Sequence, residues 1–127
     1  MTVQLVLSAA AVLAIIYIVP FVFYGIGSRF VAMPSPDDSG PGRFLVGVFV
    51  TKLGTAVAFV CLYWVSRAAW DDRWPLYAML WFVMFAASEI GDLVSRRSTS
   101  SEAVIGIASE IVYTPLAAWV MFAMLGA

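Results

Sequence analysis

The chain has 127 residues, of which 63% are hydrophobic and only 12% are charged, and its mean hydropathy is +0.96. A soluble domain carries about 25% charged residues, so this chain lacks the polar side chains that a water-facing surface needs. A single cysteine excludes an intrachain disulfide, and the absence of histidine together with a net charge of −1 argues against transition-metal, haem and nucleic-acid sites. We expect an integral membrane protein with one all-α domain over residues 1–127 and no cofactor.

Four apolar segments are each long enough to cross a bilayer core of about 30 Å. They predict transmembrane helices over residues 3–26, 43–66, 75–94 and 100–125. The first segment lacks charged side chains and a basic leader, and it is too long for the apolar part of a signal peptide. We therefore interpret it as a retained span, and the sequence predicts a four-helix transmembrane bundle.

Turn and capping residues separate these segments. Residues 33–42 are rich in proline, glycine and aspartate and predict an extramembrane loop. Residues 71–73 predict a short turn, after which Pro75 suits the first turn of the third helix. Thr99 and Glu102 have the spacing of a capping box, in which each side chain accepts a hydrogen bond from the other residue's backbone N–H.

The arginines predict the orientation. With four spans, both termini lie on the same side as residues 67–74, which carry Arg67 and Arg73. The opposite side carries Arg29, Arg43, Arg96 and Arg97. The positive-inside rule places that second side in the cytoplasm and both termini outside the plasma (inner) membrane. The difference is two residues, so a dual topology stays open as an alternative.

Lys52, Glu89 and Glu110 lie inside predicted spans. An ionised group near the middle of a bilayer costs on the order of 3 kcal/mol on insertion scales, so such residues should face the bundle interior and find partners. Counted inward at the same membrane face from Arg43, Arg96 and Thr99, they lie nine, seven and eleven residues deep, respectively. This corresponds to a depth of roughly 10 to 17 Å. The sequence therefore predicts a Lys52–Glu89–Glu110 cluster inside the bundle.

Helical spacing supports this cluster. The fourth span carries a face of mainly small residues that would allow close helix contact, made of Ala103, Gly106, Glu110, Tyr113 and Ala117. We expect Tyr113 to be a hydrogen-bonding neighbour of Glu110. On the second span, Lys52 and Thr55, a secondary site candidate, lie beside a stripe made of Gly47, Thr51, Gly54 and Ala58. Spans two, three and four should then form the polar interior.

A short repeat places both glutamates in the same local sequence. The tetrapeptide Ala-Ser-Glu-Ile occurs at residues 87–90 and again at residues 108–111. Because the third and fourth spans are antiparallel, the two copies would face each other with local two-fold character, as in the inverted arrangements around transporter sites. The flanking sequence adds little support to this repeat.

Asp92 and Pro115 are further secondary candidates. Asp92 lies near a membrane edge, and Arg96 follows it by four residues, so we favour a structural ion pair over a role in the cluster. Pro115 cannot donate to the carbonyl of Ile111, which would leave a free acceptor beside Glu110 for a cation or a water. An ordinary repaired kink is the more common outcome of such a proline.

The charge balance of the cluster sets the functional hypotheses. One lysine faces two or three acids, so at least one carboxylate must be protonated, bind a cation or meet a basic group of another chain. The first two possibilities favour a small proton- or cation-coupled transporter or channel, with Glu110 and Glu89 as ion carriers and Lys52 as the tuning charge. The third favours a non-transporting membrane subunit or assembly factor whose polar cluster holds helices or a partner together.

The expected partners follow from the same features. Besides lipid and a proton or small cation, we expect a second copy of the chain or another membrane subunit, because four short spans enclose little space for a pathway. We do not expect an enzyme, a metal centre or a nucleic-acid partner. No recognisable catalytic motif surrounds the carboxylates or the lone Cys61.

Overall fold

The computed structural model describes residues 2–27, 29, 41–96 and 98–126. These residues form four α-helices and no β-strand: α1 (Thr2–Gly27), α2 (Pro41–Trp70), α3 (Trp74–Val94) and α4 (Ser100–Leu125). Each of the four is long and apolar enough to cross a membrane. The predicted all-helical fold with four long apolar helices is confirmed.

The second helix is longer than predicted. It begins at Pro41, because proline suits the first turn of a helix, and it continues beyond the predicted end at Ser66 to Trp70. It stops where Asp71 takes a left-handed backbone conformation, with φ of 52°. The predicted loop over residues 33–42 lies, except for its last two residues, outside the described part of the chain.

The starts of α3 and α4 follow the predicted local signals. Pro75 lies in the first turn of α3. The Thr99 hydroxyl accepts a hydrogen bond from the Glu102 N–H at 3.2 Å, and the Glu102 carboxylate accepts one from the Thr99 N–H, also at 3.2 Å. The predicted capping box is thus confirmed. The fourth helix begins and ends at the predicted residues, Ser100 and Leu125.

The fourth helix is the centre of the packing. It packs closely along α1 and along α3, and α1 also packs against α2, whereas the backbones of α2 and α3 approach each other at few points. The buried face of α4 includes all five residues that the helical spacing predicted: Ala103, Gly106, Glu110, Tyr113 and Ala117. The close contact between α3 and α4 is what brings their glutamates together.

The inner face of α2 differs from the prediction. Gly47, Thr51 and Gly54 lie on the outer surface, and a Cβ atom added to either glycine would meet nothing within 4 Å. The face that packs inside the bundle carries Ala56, Phe59, Val60 and Tyr63. Because the α2 and α3 backbones are held apart, large aromatic side chains fill the space between them, and small residues would leave cavities there.

The first helix also lines the interior. Ser8, Val12, Ile16 and Pro20 are buried, one at each turn of α1. Near the end of this helix, the Tyr24 hydroxyl donates a hydrogen bond to the backbone carbonyl of Glu102 at 3.3 Å. Spans two, three and four were expected to form the polar interior, and this is corrected, since α1 packs closely against α4 and its Tyr24 lies near Glu89 and Glu110.

Candidate functional site

Glu110 lies on the buried face of α4. Its side chain is only 5% exposed, and its backbone carbonyl accepts a hydrogen bond from the Thr114 hydroxyl at 2.6 Å. Its carboxyl oxygen Oε2 has no hydrogen-bond partner among the described residues. A buried polar atom without a partner costs about 1–3 kcal/mol. This oxygen therefore destabilises the fold unless a proton or another group satisfies it.

The carboxyl group of Glu89 lies against the backbone of α4. A Cβ atom built on Gly106 would lie 2.6 Å from Oε1 and 3.0 Å from Oε2 of Glu89, so only glycine leaves room for the carboxyl group in this position. Glu89 and Glu110 are close enough for their carboxyl groups to act on each other electrostatically. The structure thus brings the two predicted acids together, with Glu89 half-buried and Glu110 buried.

Lys52 extends from α2 towards α4 and lies on an aromatic ring. Its Nζ atom lies over the ring of Tyr113, 5.3 Å from the ring centroid. Glu110 and Glu89 both act on the ammonium group through space, but within the described residues no carboxylate oxygen lies within 4 Å of it. A cation–π contact of this kind contributes about 0.5–2 kcal/mol. The lysine is therefore beside the carboxyl pair and held by an aromatic face.

Tyr113 contacts Lys52 and Phe85 through its aromatic ring. Its side chain is 3% exposed, and its ring centroid is 5.8 Å from that of Phe85 on α3. The predicted hydrogen bond from Tyr113 to Glu110 is absent from the described part of the structure, because the ring faces Lys52 and Phe85. This side chain provides an electron-rich surface for the ammonium group.

Asp92 lies one turn after Glu89, near the end of α3. The helix ends at Val94, and Arg96 then takes a left-handed conformation with φ of 63°. Arg96 therefore leaves the helical path that would place it above Asp92. The predicted Asp92–Arg96 ion pair is not formed within 4 Å in the described structure.

Thr55 and Pro115 do not contact the acids. The Thr55 hydroxyl donates to the backbone carbonyl of Thr51 at 3.0 Å, one turn earlier in α2. Pro115 and Ile111 are both exposed, so the carbonyl that the proline leaves free lies on the outer side of α4. The sequence predicted this carbonyl beside the Glu110 carboxyl group, and the structure places it on the other side of the helix.

Two residues near the acids were not predicted as part of the site. Tyr24 on α1 lies close enough to Glu89 and Glu110 to interact with both electrostatically, and Gly106 provides the contact surface for Glu89. Tyr24 lies only three residues from one end of α1, level with Glu102 near the start of the antiparallel α4, so the depth argument that joined Lys52 and the two acids did not include it. Gly106 was predicted on the same small-residue face as Glu110, but its contact with Glu89 depends on how α3 packs against α4.

Aromatic rings separate the acids from the turn between α2 and α3. Neighbouring rings in this row have centroids 5.0 to 5.8 Å apart. In order from the site, the row is Tyr113, Phe85, Trp81, Phe59, Tyr77 and Trp70. The Tyr77 hydroxyl donates to the Phe59 carbonyl and ties α3 to α2 within the row. This side of the carboxyl pair is apolar and densely packed.

The chemistry of the site follows from two adjacent carboxyl groups in apolar surroundings. The two groups can both be ionised only with a cation beside them, and otherwise one of them carries a proton, because like charges repel strongly where the dielectric constant is low. Among the described residues, no group of three or more histidine, cysteine, aspartate or glutamate side chains is placed to hold a metal ion. The arrangement suits a proton or a hard cation better than a transition metal.

No known protein family, curated protein or solved structure matches the chain. Its function is therefore inferred from the geometry of the carboxyl pair and its neighbours.

Proposed function

We propose that the chain is a multi-pass membrane protein that works as a small proton- or cation-coupled transporter or channel, with Glu110 and Glu89 as the ion carriers. The observation that carries this proposal is the buried, unpartnered Oε2 of Glu110 beside a second carboxyl group. A purely structural acid in such a place would be paired with a base, since an uncompensated buried charge costs about 3–5 kcal/mol. The nearby base, Lys52, instead lies on Tyr113.

A proton is the ion best suited to this site. A carboxylic acid beside a carboxylate can share its proton with it, and such a pair titrates as a unit. A hard metal cation takes about six or more oxygen ligands. The nearby hydroxyl groups of Ser109 and Thr114 instead donate to backbone carbonyls of α4, at 2.7 and 2.6 Å. The carboxyl pair therefore offers few oxygens for a metal and enough for one shared proton.

The direction of access follows from the packing around the pair. The row of rings from Tyr113 to Trp70 separates the acids from the turn between α2 and α3. We propose that protons reach the pair from the opposite membrane face and that the row must rearrange for release to the other side. A second copy of the chain completes the pathway in this proposal, because the interior of one bundle is filled by side chains.

The distribution of arginines between the two ends of the bundle supports a proposal for the localisation. We propose a plasma (inner) membrane location with both termini outside the cytoplasm, as the positive-inside rule favours. Arg29 and Arg96 are exposed at one end of the bundle. At the other end, Arg67 lies over the Trp64 ring at 3.8 Å and donates to the Trp64 carbonyl at 2.6 Å.

The proposal is tested by proton flux into liposomes. The purified chain is reconstituted in vesicles that contain a pH-sensitive dye, and a pH gradient is imposed together with a potassium diffusion potential. We expect flux through the wild type and none above the protein-free background through Glu110→Gln. Absence of flux in the folded wild type under both gradients would show that the proposal is wrong.

Glu102→Gln is the matched control. Glu102 lies on the same helix, its side chain caps the N-terminus of α4, and glutamine also serves in a capping box. This variant loses the same carboxylate charge at a place away from Glu110, so it should keep the wild-type flux. Equal loss of flux in both variants would mean that the charge of α4 as a whole, and not the carboxyl pair, is required.

The assembly alternative is supported by the outer face of α2. Gly47, Thr51 and Gly54 are exposed there and would let a second helix approach closely. If the chain is a non-transporting subunit, wild type and Glu110→Gln will both lack flux. The variant will in addition lose its partner or its fold, which size-exclusion chromatography detects.

A further inference from the structure

Lys52 is the single lysine of the chain, and its position is unusual. The ammonium group lies 5.3 Å from the ring centroid of Tyr113, three residues after Glu110 on α4. Two acids act on it through space, and one of them has a buried carboxyl oxygen without a described partner. The lysine thus lies near the Glu89–Glu110 carboxyl pair, but its ammonium group is on the Tyr113 ring.

A move from the ring to the acids is small for this side chain. Lysine carries a compact charge on a flexible stem of four carbons, so its ammonium group can shift by several ångströms without backbone movement. An ion pair in an apolar interior attracts more strongly than a cation–π contact. When the carboxyl pair loses a proton, its charge rises from one to two and its attraction for the ammonium group doubles, so proton release favours a move from the ring to the acids.

We infer that Lys52 is a tethered counter-cation, which lies on Tyr113 while the carboxyl pair is protonated and moves to the pair when the proton leaves. This inference rests on the proposed function, because it requires that Glu89 and Glu110 release a proton. In the release step one O–H bond of the pair breaks and the proton passes to water. The lysine remains protonated throughout, so it offsets one of the two negative charges left behind.

Other charged or titratable groups around the pair cannot take this role. Tyr24 faces it from α1, Asp92 follows Glu89 on α3, and Glu102 and Tyr113 lie on α4. All of these groups are acidic or neutral. Lys52 is the one cation described among the groups that act on the pair, so its removal leaves the doubly charged state without a counter-charge.

The test is the pH profile of proton flux in liposomes for Lys52→Met, which keeps an unbranched side chain only one atom shorter and removes its charge. We expect the half-maximal point to move to higher pH by at least about one unit, because even at about 10 Å one unit charge in a protein has this effect, and the inferred move brings the charge closer. Lys52→Arg keeps the charge and should restore the wild-type profile. Thr55→Ala, one turn along α2 from Lys52, should also leave the profile unchanged.

Tyr113→Leu is the second variant and moves the profile in the opposite direction. Without the ring, the ammonium group stays nearer to the carboxyl pair and favours proton release, so the half-maximal point should move to lower pH. If Lys52→Met does not fold, the pH profile of Tyr113→Leu is by itself the test of the inferred role of Lys52. An unchanged profile in a folded variant overturns the inference and leaves the proposed function standing, whereas absence of flux in the wild type overturns both.

Discussion

The carboxyl group of Glu89 on α3 lies against the backbone of Gly106 on α4, where a Cβ atom would be 2.6 Å from its Oε1. This contact holds the two carboxyl groups together, because Gly106 lies one turn before Glu110 on the same buried face. The missing side chain at position 106 therefore sets the distance between the acids. A single added methyl group would change it.

Gly106→Ala should displace the Glu89 carboxyl group and keep the fold. The neighbour that must move is the end of a flexible side chain, so we expect a stability change of about 1 kcal/mol. Proton flux should fall by about tenfold or more, since small displacements of reacting groups have large effects on rates. Thermal unfolding in detergent and the liposome assay measure the two quantities.

The control for this variant is Gly91→Ala on the exposed side of α3, where an added Cβ atom meets nothing within 4 Å. It should leave the flux unchanged and change stability by no more than about 1 kcal/mol in the stabilising direction, because alanine favours the helix. If Gly106→Ala also leaves the flux unchanged, the position of the Glu89 carboxyl group does not matter for transport.

Glu89→Gln and Glu110→Gln should each leave the protein as stable as the wild type or more stable. Each substitution removes one of two adjacent acids and keeps the side-chain shape. The unfolding midpoint in detergent, followed by tryptophan fluorescence, provides the comparison. A loss of about 3–5 kcal/mol in both variants would contradict this expectation and identify the acids as indispensable structural partners.

Thr99→Ala should destabilise the protein by about 1 kcal/mol through loss of the capping box at the start of α4. The Thr99 hydroxyl accepts the Glu102 N–H at 3.2 Å, and alanine provides no acceptor. Thr99→Ser keeps the hydroxyl and should retain wild-type stability. Denaturant titration of the three proteins tests this, and equal stabilities would mean that water replaces the cap.

Tyr77→Phe should weaken the contact between α2 and α3 by about 1 kcal/mol, because the Tyr77 hydroxyl donates to the Phe59 carbonyl where few backbone contacts join these helices. Tyr17→Phe is the control, since no hydrogen bond from the Tyr17 hydroxyl is described; its ring pairs with that of Phe49 at 6.3 Å. Thermal unfolding compares the two. A smaller effect for Tyr77→Phe than for Tyr17→Phe would contradict the expectation.

Much of the fold was predictable because its signals are local. The start of α4 follows from Thr99 and Glu102, whose hydrogen bonds span three residues. The first turn of α3 follows from Pro75 in the same way. The buried face of α4 was predictable because small residues recur at helical spacing on a helix that has neighbours on two sides.

The inner face of α2 could not be predicted from its own sequence. Its small residues at 47, 51 and 54 are spaced as an interior stripe would be, yet they lie outside. Which face turns inward depends on the distance to α3, and the rings of Phe59 and Tyr77 occupy that space with centroids 5.0 Å apart. The residue pattern of α2 by itself carries no information about its distance from α3.

The sequence by itself determined the four apolar helices, the positions of Lys52, Glu89 and Glu110 along them, and the charge imbalance among these residues, because these depend on composition and residue order. Tertiary structure alone decided that the Glu89 carboxyl group lies against Gly106 and that the lysine lies on Tyr113. The physical reason is that side-chain contacts between helices depend on helix rotation and separation, and these are set by packing of the whole bundle.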